Sequence, residues 1–477
     1  MLLRIIYFSV FSFIVSTTRA DEYIVRFKKT EDRSRHVRIL REQNIDILDQ
    51  IDVLDMFFVD LPAGHRSIDF LKNSDSVLYV EKNKLVYLTD TTPNDKKFSG
   101  QWHHKKINTP KAWDVTQGSD QVIVAVVDTG MSLTHEDLKN QLWFNTKEIP
   151  QNGIDDDHNG FIDDTVGWDF ANSDNNPTDD QSHGSHCAGL VGAQGNNLVG
   201  VTGVAWKVKI MPIKFITSSG SGSEANAVKS IIYAVDNGAQ IISASWGSPE
   251  FNQALSDAIQ YAADKNVLFV AAAGNDKTNV ERKAFYPAGL KLPNVISVAA
   301  SSPSNGRADF TNYGRTSVHL AAPGVDIFST SMGKSYETKS GTSMATPIVS
   351  GVAALIRSTQ NGITVADLRN ALLNATVDVG SWKNNVATDG LIQADLAVKQ
   401  FLGGSQIWPK KLRVKAGEQV KFTAFKSTRP VWSSSQSQVA SVSTNGLVQA
   451  AAVGTTSIIF VDDTGQSRSA TLEVVAK

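Results

Sequence analysis

Four short segments of the chain hold side chains able to carry out acyl transfer. Asp128 ends the apolar run Val122–Val127 in VVDTG, and His183 opens HGSHCAG. Asn275 closes AAAGN, and Ser343 stands in GTSMATP at a helix start, with Pro347 expected within the first turn. A serine hydroxyl is a weak nucleophile until a base takes its proton. A carboxylate behind that base fixes the imidazole tautomer and stabilises the imidazolium. The expected roles are therefore Ser343 as nucleophile, His183 as base and Asp128 as its orienting carboxylate. The helix N-terminus under Ser343 and the Asn275 carboxamide would stabilise an oxyanion beside the Ser343 backbone N–H. Singly, an Asp after a strand reads as a cap and a buried His as a structural residue. The signal is the set of four.

A second pattern points to metal. Asp155, Asp157 and Asn159, then Gly160, Asp163 and Asp164, repeat the first part of an EF-hand loop. Between 151 and 182 there are nine Asp and no Lys or Arg. Without a cation that charge repels itself, so calcium is expected, the alternative being a solvated acidic loop. Asp169, Asp174, Asp179 and Asp180 are further candidates for the same or a neighbouring site. Zinc is disfavoured because no His/Cys ligand spacing occurs. Cys187 is the only cysteine, which excludes an internal disulfide. Four residues after His183, it faces the same side of the helix and reads as a small core residue.

These segments need a scaffold. The runs VIVAVV (122–127), VKIMPIKF (208–215), IISAS (241–245), VLFVAAA (267–273) and VISVAA (295–300) are continuously apolar, as strands covered on both faces are. With helices expected over 183–194, 224–237, 251–264 and 343–358, they predict an α/β domain, a doubly wound parallel sheet, over 101–402. Before it, residues 21–100 read as a small α+β module of three strands and two helices to about residue 90, then a polar linker from Thr91 to Gly100. After Gly403-Gly404, residues 405–477 hold short strand-like runs separated by turn residues, the pattern of a β-sandwich.

The 477 residues carry 46 Lys plus Arg and 48 Asp plus Glu, and a net charge of −2 argues against a dedicated nucleic-acid binder. Residues 405–477 hold nine basic and four acidic side chains. That excess reads as a solvated surface, the alternative being docking to anionic envelope polymers. Met1–Ala20 has one Arg, an apolar run from Ile5 to Val15 and a polar end at Ala20, the pattern of a secretory signal peptide cleaved after Ala20. The apolar run falls well short of the roughly 20 residues that span a bilayer, and no transmembrane segment is expected.

The segments VVDTG, HGSHCAG, AAAGN and GTSMATP, in the order Asp, His, Asn, Ser, make residues 101–402 resemble the catalytic domain of the subtilisin-like serine proteases, the subtilase family. The resemblance implies a serine endopeptidase with Asp128, His183 and Ser343 as triad and Asn275 in the oxyanion hole. Residues 21–89 then resemble an inhibitor-like propeptide that acts in its own chain, with autocleavage near Thr89. Residues 405–477, through VWSSSQSQVASVSTNGLVQAAAVGTTSI, resemble a bacterial Ig-like domain of group 2, implying a bacterial, secreted protein. In this family a peptide or protein substrate adds as a strand, here between Ser245-Trp246-Gly247 and Gly220-Ser221-Gly222. Ala272, Ala273 and Gly274 would wall the first specificity pocket. Phe285 either narrows that pocket or packs in the core. A second calcium site is implied by resemblance at Asp137 and Asn197, with carbonyls of Gly195, Val199 and Val201. Its N-terminal ligand is not placed. A reading from another class, an adhesin built on a silent protease fold, would show as absence of labelling by serine-directed probes.

Overall fold

The computed structural model describes residues 22–29, 34–60, 66–83, 90–360, 362–402 and 404–477. The expected signal peptide and the cleavage position near Thr89 lie outside them. The chain divides into two units, residues 1–89 and Asp90–Lys477. No helix among the described residues is long and apolar enough to cross a membrane.

The first unit is a four-stranded antiparallel sheet with the helices Ser34–Glu42 and Arg66–Lys72. Glu22–Phe27 and Met56–Asp60 pair at its centre, where Val25, Phe27, Phe57 and Val59 build a small core with Leu40 and Leu71. The strand Asp46–Ile51 was not expected from the sequence. It lies at the sheet edge with most of its residues exposed, so no apolar alternation marks it.

The second unit centres on a nine-stranded sheet. In chain order its strands are β1 (Gly118–Asp128), β2 (Trp168–Asp169), β3 (Lys207–Lys214), β4 (Ile241–Ala244), β5 (Leu268–Ala272), β6 (Val295–Ser301), β7 (Leu320–Pro323), β8 (Thr376–Asp378) and β9 (Gly390–Ile392). The spatial order is β8-β9-β7-β6-β5-β4-β1-β3-β2, and only the β8–β9 pair is antiparallel. From β1 the chain fills one side, edge strand β2 before β3, and then crosses to build on the other. A crevice opens at such a reversal, beyond the carboxyl ends of the strands. The helices Glu224–Asp236 and Gln253–Asp264 pack on one face, through Ile231, Ala234 and Ile259. The helices α1 (His183–Gly192) and α2 (Thr342–Thr359) pack on the other, through Leu190, Ile348 and Val352.

Pro347 is the sixth residue of α2, beyond the first turn where it was expected. A proline there has no N–H for the carbonyl of residue 343. That carbonyl instead accepts from Ser245 Oγ at 2.9 Å and from the Cys187 thiol at 3.4 Å. The segment Thr91–Gly100, expected to be an exposed linker, belongs to the second unit: Pro93 and Asp95 are buried and Lys97 N donates to Gly200 O.

The C-terminal module is a set of small sheets, the largest ordered Lys411–Lys415, Ser467–Val475, Gly454–Val461, Val431–Ser434. Its apolar residues, among them Trp408, Leu412, Phe460 and Leu472, form one continuous core with the catalytic face carrying α2. The basic strand Lys411–Lys415 meets carboxylates of the catalytic part. Lys411 pairs with Asp378 and Asp389, Arg413 with Asp389 at 2.9 Å, and Lys415 with Glu281. Three of the module's nine basic side chains are thus matched inside the unit, while Lys410, Lys421, Lys426, Arg429 and Lys477 are exposed, in keeping with a solvated surface.

Four histidines of this unit are buried and held neutral. Among the described residues His103 has no partner on either ring nitrogen, and its ring lies tilted at 4.2 Å from that of His104, which bonds Thr109 Oγ1 and Thr202 O. Burial pushes His103 and His319 well below the ordinary value of 6.5, and His104 and His186 down to about 4. The unfolded chain therefore binds more protons below pH 6.5 than the folded one. Stability is full above that pH and is lost as pH falls toward 4, by on the order of 3 kcal/mol for a shift of this size. In His103→Phe, which keeps a ring in the same space without a proton site, thermal unfolding measured from pH 7 to pH 4 should show a shallower acid loss. An unchanged slope would contradict the assignment.

Candidate active site

Asp128 is the last residue of β1 and His183 the first of α1. Their approach depends on two glycines. A Cβ on Gly184 would lie 2.1 Å from Gly130 O, and one on Gly130 would lie 2.4 Å from Pro177 O. Gly130 also has φ +102°, a region costly for other residues. With both Cβ atoms missing, His183 Nδ1 stands 2.7 Å from Asp128 Oδ1, which also accepts from Thr129 N at 2.8 Å. The Asp128 side chain is 1% exposed. Burial opposes protonation of His183, but the adjacent Asp128 carboxylate outweighs it and holds the imidazole well above the ordinary histidine value.

Asp179 ties the two loops together. Its Oδ1 accepts from Thr129 Oγ1, Gln181 N and Ser182 N, and its Oδ2 from Ser185 N and Oγ. Asp180 pairs at 2.7 Å with buried Lys214, whose ammonium also donates to the carbonyls of Thr129 and Ile216. These carboxylates, candidate metal ligands by sequence, hold the segments carrying Asp128 and His183. Asp169 and Asp174 likewise accept from nearby backbone, at Ala171 and Asn172 and at Asn176.

Ser343 is in the first turn of α2, where backbone N–H groups have no intrahelical acceptor. Its hydroxyl donates to Ser245 O at 3.0 Å and must leave that acceptor to be presented to His183. Asn275 Oδ1 accepts from Thr342 N and Thr342 Oγ1 at 2.9 and 3.0 Å. The carboxamide oxygen is thereby occupied, and its NH2 is left to donate. Cys187 lies behind the imidazole, Sγ 4.0 Å from His183 Nδ1, and burial raises its thiol pKa, so it stays protonated.

A cleft of about 380 Å³ joins His183, Asn275 and Ser343, with Ser245, Trp246, Gly247, Gly220, Ala272 and Gly274 on its walls. Gly222, expected beside Gly220, is exposed and off the walls of this cleft, and a Cβ there would meet the Phe215 ring at 2.8 Å. Ala273 is in the core. Phe285 satisfies both expectations: it lines the cleft, and it packs on the core formed by Ala273, Val280 and Val318. A Cβ on Gly247 or Gly274 would strike its ring. This arrangement can activate a hydroxyl, bind an extended chain and receive a negative oxygen.

In the acidic loop, carboxylate oxygens of Asp157, Asp164 and Glu148 lie within 4.8 Å of one another. Glu148 was missed because it precedes the motif. Asn159 Nδ2 and Tyr233 Oη donate to Asp164 Oδ2. Asp155 accepts from Asn159 N and Gly160 N, and Asp163 from Asn152 N and Gly153 N, and neither lies in the three-carboxylate cluster. At the second expected site, Asn197 Nδ2 and Val201 N donate to Asp137. Here Asp95 was missed. Its Oδ1 is buried without a partner among the described residues, and burial, with the Asp137 charge adding, raises its pKa to about 6. The signal was available only as an acidic residue in a segment taken for a linker.

The sequence profile of the subtilase family matches residues 119–403, and that of the bacterial Ig-like domain (group 2) matches residues 404–474. Thermitase of Thermoactinomyces vulgaris is 37% identical over 309 residues, 65% of this chain and 99% of that protein. A thermophilic serine proteinase of a Bacillus species is 35% identical over 354 residues, 74% of this chain and 80% of that protein. A solved protease from Pseudoalteromonas arctica superposes with a TM-score of 0.54 at 29% identity, covering 65% of this chain and 99% of that one.

Replacement of Asp128 by Asn should leave the fold intact and lower kcat by about 10⁴, because the imidazole loses its orienting acceptor. In the parent, kcat/KM should fall as pH drops through an apparent pKa above 6.5, where His183 becomes protonated. Steady-state rates across pH check both. A limb at or below 6.5 in the parent would contradict the geometry.

Proposed function

The chain belongs to the subtilase family of serine proteases, and from that premise we propose a secreted, calcium-stabilised endopeptidase made as a self-processing zymogen. The observation that carries the reading is the 2.7 Å contact of Asp128 and His183 beside the first turn of the Ser343 helix, with Asn275 turned to donate. When a peptide lies along Ser245–Gly247, the Ser343 hydroxyl leaves Ser245 O and gives its proton to His183 as its oxygen attacks the carbonyl carbon. The Ser343 N–H and Asn275 Nδ2 receive the oxyanion. His183 then protonates the leaving amine, and water, deprotonated by His183, releases the acyl group from Ser343. Loss of the Asn275 donor should cost about 10²–10³ in rate, the value established for this donor in subtilisin itself rather than drawn from these distances.

Calcium fits the donor sets, which are oxygen only. Asp95, Asp137 and Asn197 would hold one ion, and the Asp95 Oδ1, buried without a partner among the described residues, favours a ligand there. Asp157, Asp164 and Glu148 would hold another, where three converging carboxylates favour a cation. Bound calcium would neutralise these groups and fix the loops on either side of β1. Chelation should lower the unfolding midpoint of full-length Ser343→Ala, and Asp95→Ala should lose part of the gain that calcium gives. Calorimetry with and without chelator checks this, and equal midpoints would exclude a structural ion.

Residues 1–20 and 21–89 would serve export and intramolecular inhibition. The intact mass of the secreted product, parent beside Ser343→Ala with calcium present, tests this. The parent should lose residues 21–89 as well as the signal peptide, and the variant should keep them. Identical cleavage of both would assign the processing to another protease.

A further inference from the structure

Between the catalytic part and the C-terminal module lies a second cleft, of about 610 Å³, lined by Lys291, His319, Arg369, Arg413, Glu418 and Lys421. Its charges do not cancel. Arg413 is matched by Asp389 and Glu473, and Lys291 by Glu418 at 3.3 Å. Among the described residues, Arg369 and Lys421 have no carboxylate partner: Arg369 Nε donates to Val295 O, and Lys421 Nζ to Asn445 O. Arg369 is only partly exposed, a guanidinium with reduced hydration and no counterion is costly, and burial pushes Arg369 down to about 10.

The hydrogen-bond chemistry points the same way. His319 is 8% exposed, and its Nδ1 accepts from Ser297 N at 2.8 Å within the central sheet. The neutral ring must then carry its proton on Nε2. That Nε2 stands 2.9 Å from Arg369 Nη2, which can only donate. Two donors thus face each other with no lone pair between them. Arg369 and Lys291 further disfavour protonation of His319, after burial itself. What the cluster lacks is an acceptor with negative charge and more than one oxygen. A guanidinium receives such a group in bidentate fashion.

We propose that this cleft is an oxyanion site, in which a sulfate, phosphate or carboxylate group is held by Arg369, the His319 Nε2–H and Lys421. Arg369 and His319 belong to the catalytic part and Lys421 to the module. The bound anion would therefore clamp the module to the protease without touching Ser343.

The test uses full-length, calcium-loaded Ser343→Ala, titrated calorimetrically with sodium sulfate against sodium chloride of equal ionic strength. Sodium acetate forms a separate arm that distinguishes a carboxylate from a tetrahedral anion. A saturable, one-to-one response to sulfate or acetate, with a matching rise in the unfolding midpoint, is expected. Arg369→Gln should weaken it about tenfold or more, and Lys421→Met, whose side chain lies on the rim, by a few-fold. If Arg369→Gln does not fold, the Lys421→Met series decides. A response no different from chloride, one that rises without saturating, or one unchanged in the folded variants would overturn the proposal.

Discussion

A carboxylate at the end of one buried strand must come within 2.7 Å of an imidazole on a different segment, and much of the second unit is arranged around that contact. It requires backbone to pass backbone at Gly130 and Gly184 with no side chain between them. It also requires that the loops on both sides stay put. The five hydrogen bonds accepted by Asp179 and the buried ammonium of Lys214 meet that need. A buried carboxylate left without such donors would be expensive, so these polar groups stabilise the loops only as a complete set.

The nucleophile is held by a related economy of backbone groups. Pro347 deprives the Ser343 carbonyl of its helical partner, and Ser245 and Cys187 take its place. The same helix offers its free first-turn N–H groups to the cleft while its apolar side is sealed against the sheet. The core on that side runs on without a break into the C-terminal module. Arg413, 5% exposed and bonded to Asp389 and Glu473, shows how fully that seam is closed in places. The module is thus part of the catalytic unit's packing, not a bead on a tether.

Strands read from continuous apolar runs, such as 122–127 and 295–300, fall where the sheet has them, because burial on both faces leaves no polar alternation. Elements with little apolar surface did not announce themselves. Asp46–Ile51 is an exposed edge, Trp168–Asp169 is two residues long, and Gln406–Trp408 is three. The acyl-transfer residues were legible because each sits in a short motif constrained by close backbone contact. Glu148, Asp95 and Asp179 were not, since their roles depend on which distant segments they meet. Arg369 was invisible for the same reason: an unpaired charge is defined by what surrounds it in space.

The central claim is that His183 and Asp128 make Ser343 a nucleophile. A fluorophosphonate probe, which forms a covalent bond with an activated serine, tests it most directly through the intact mass and peptide map of the processed protein. The account predicts one adduct per chain, on Ser343, absent in Ser343→Ala and formed far more slowly in His183→Ala. An unlabelled parent, an adduct on another serine, or labelling indifferent to His183 would contradict it.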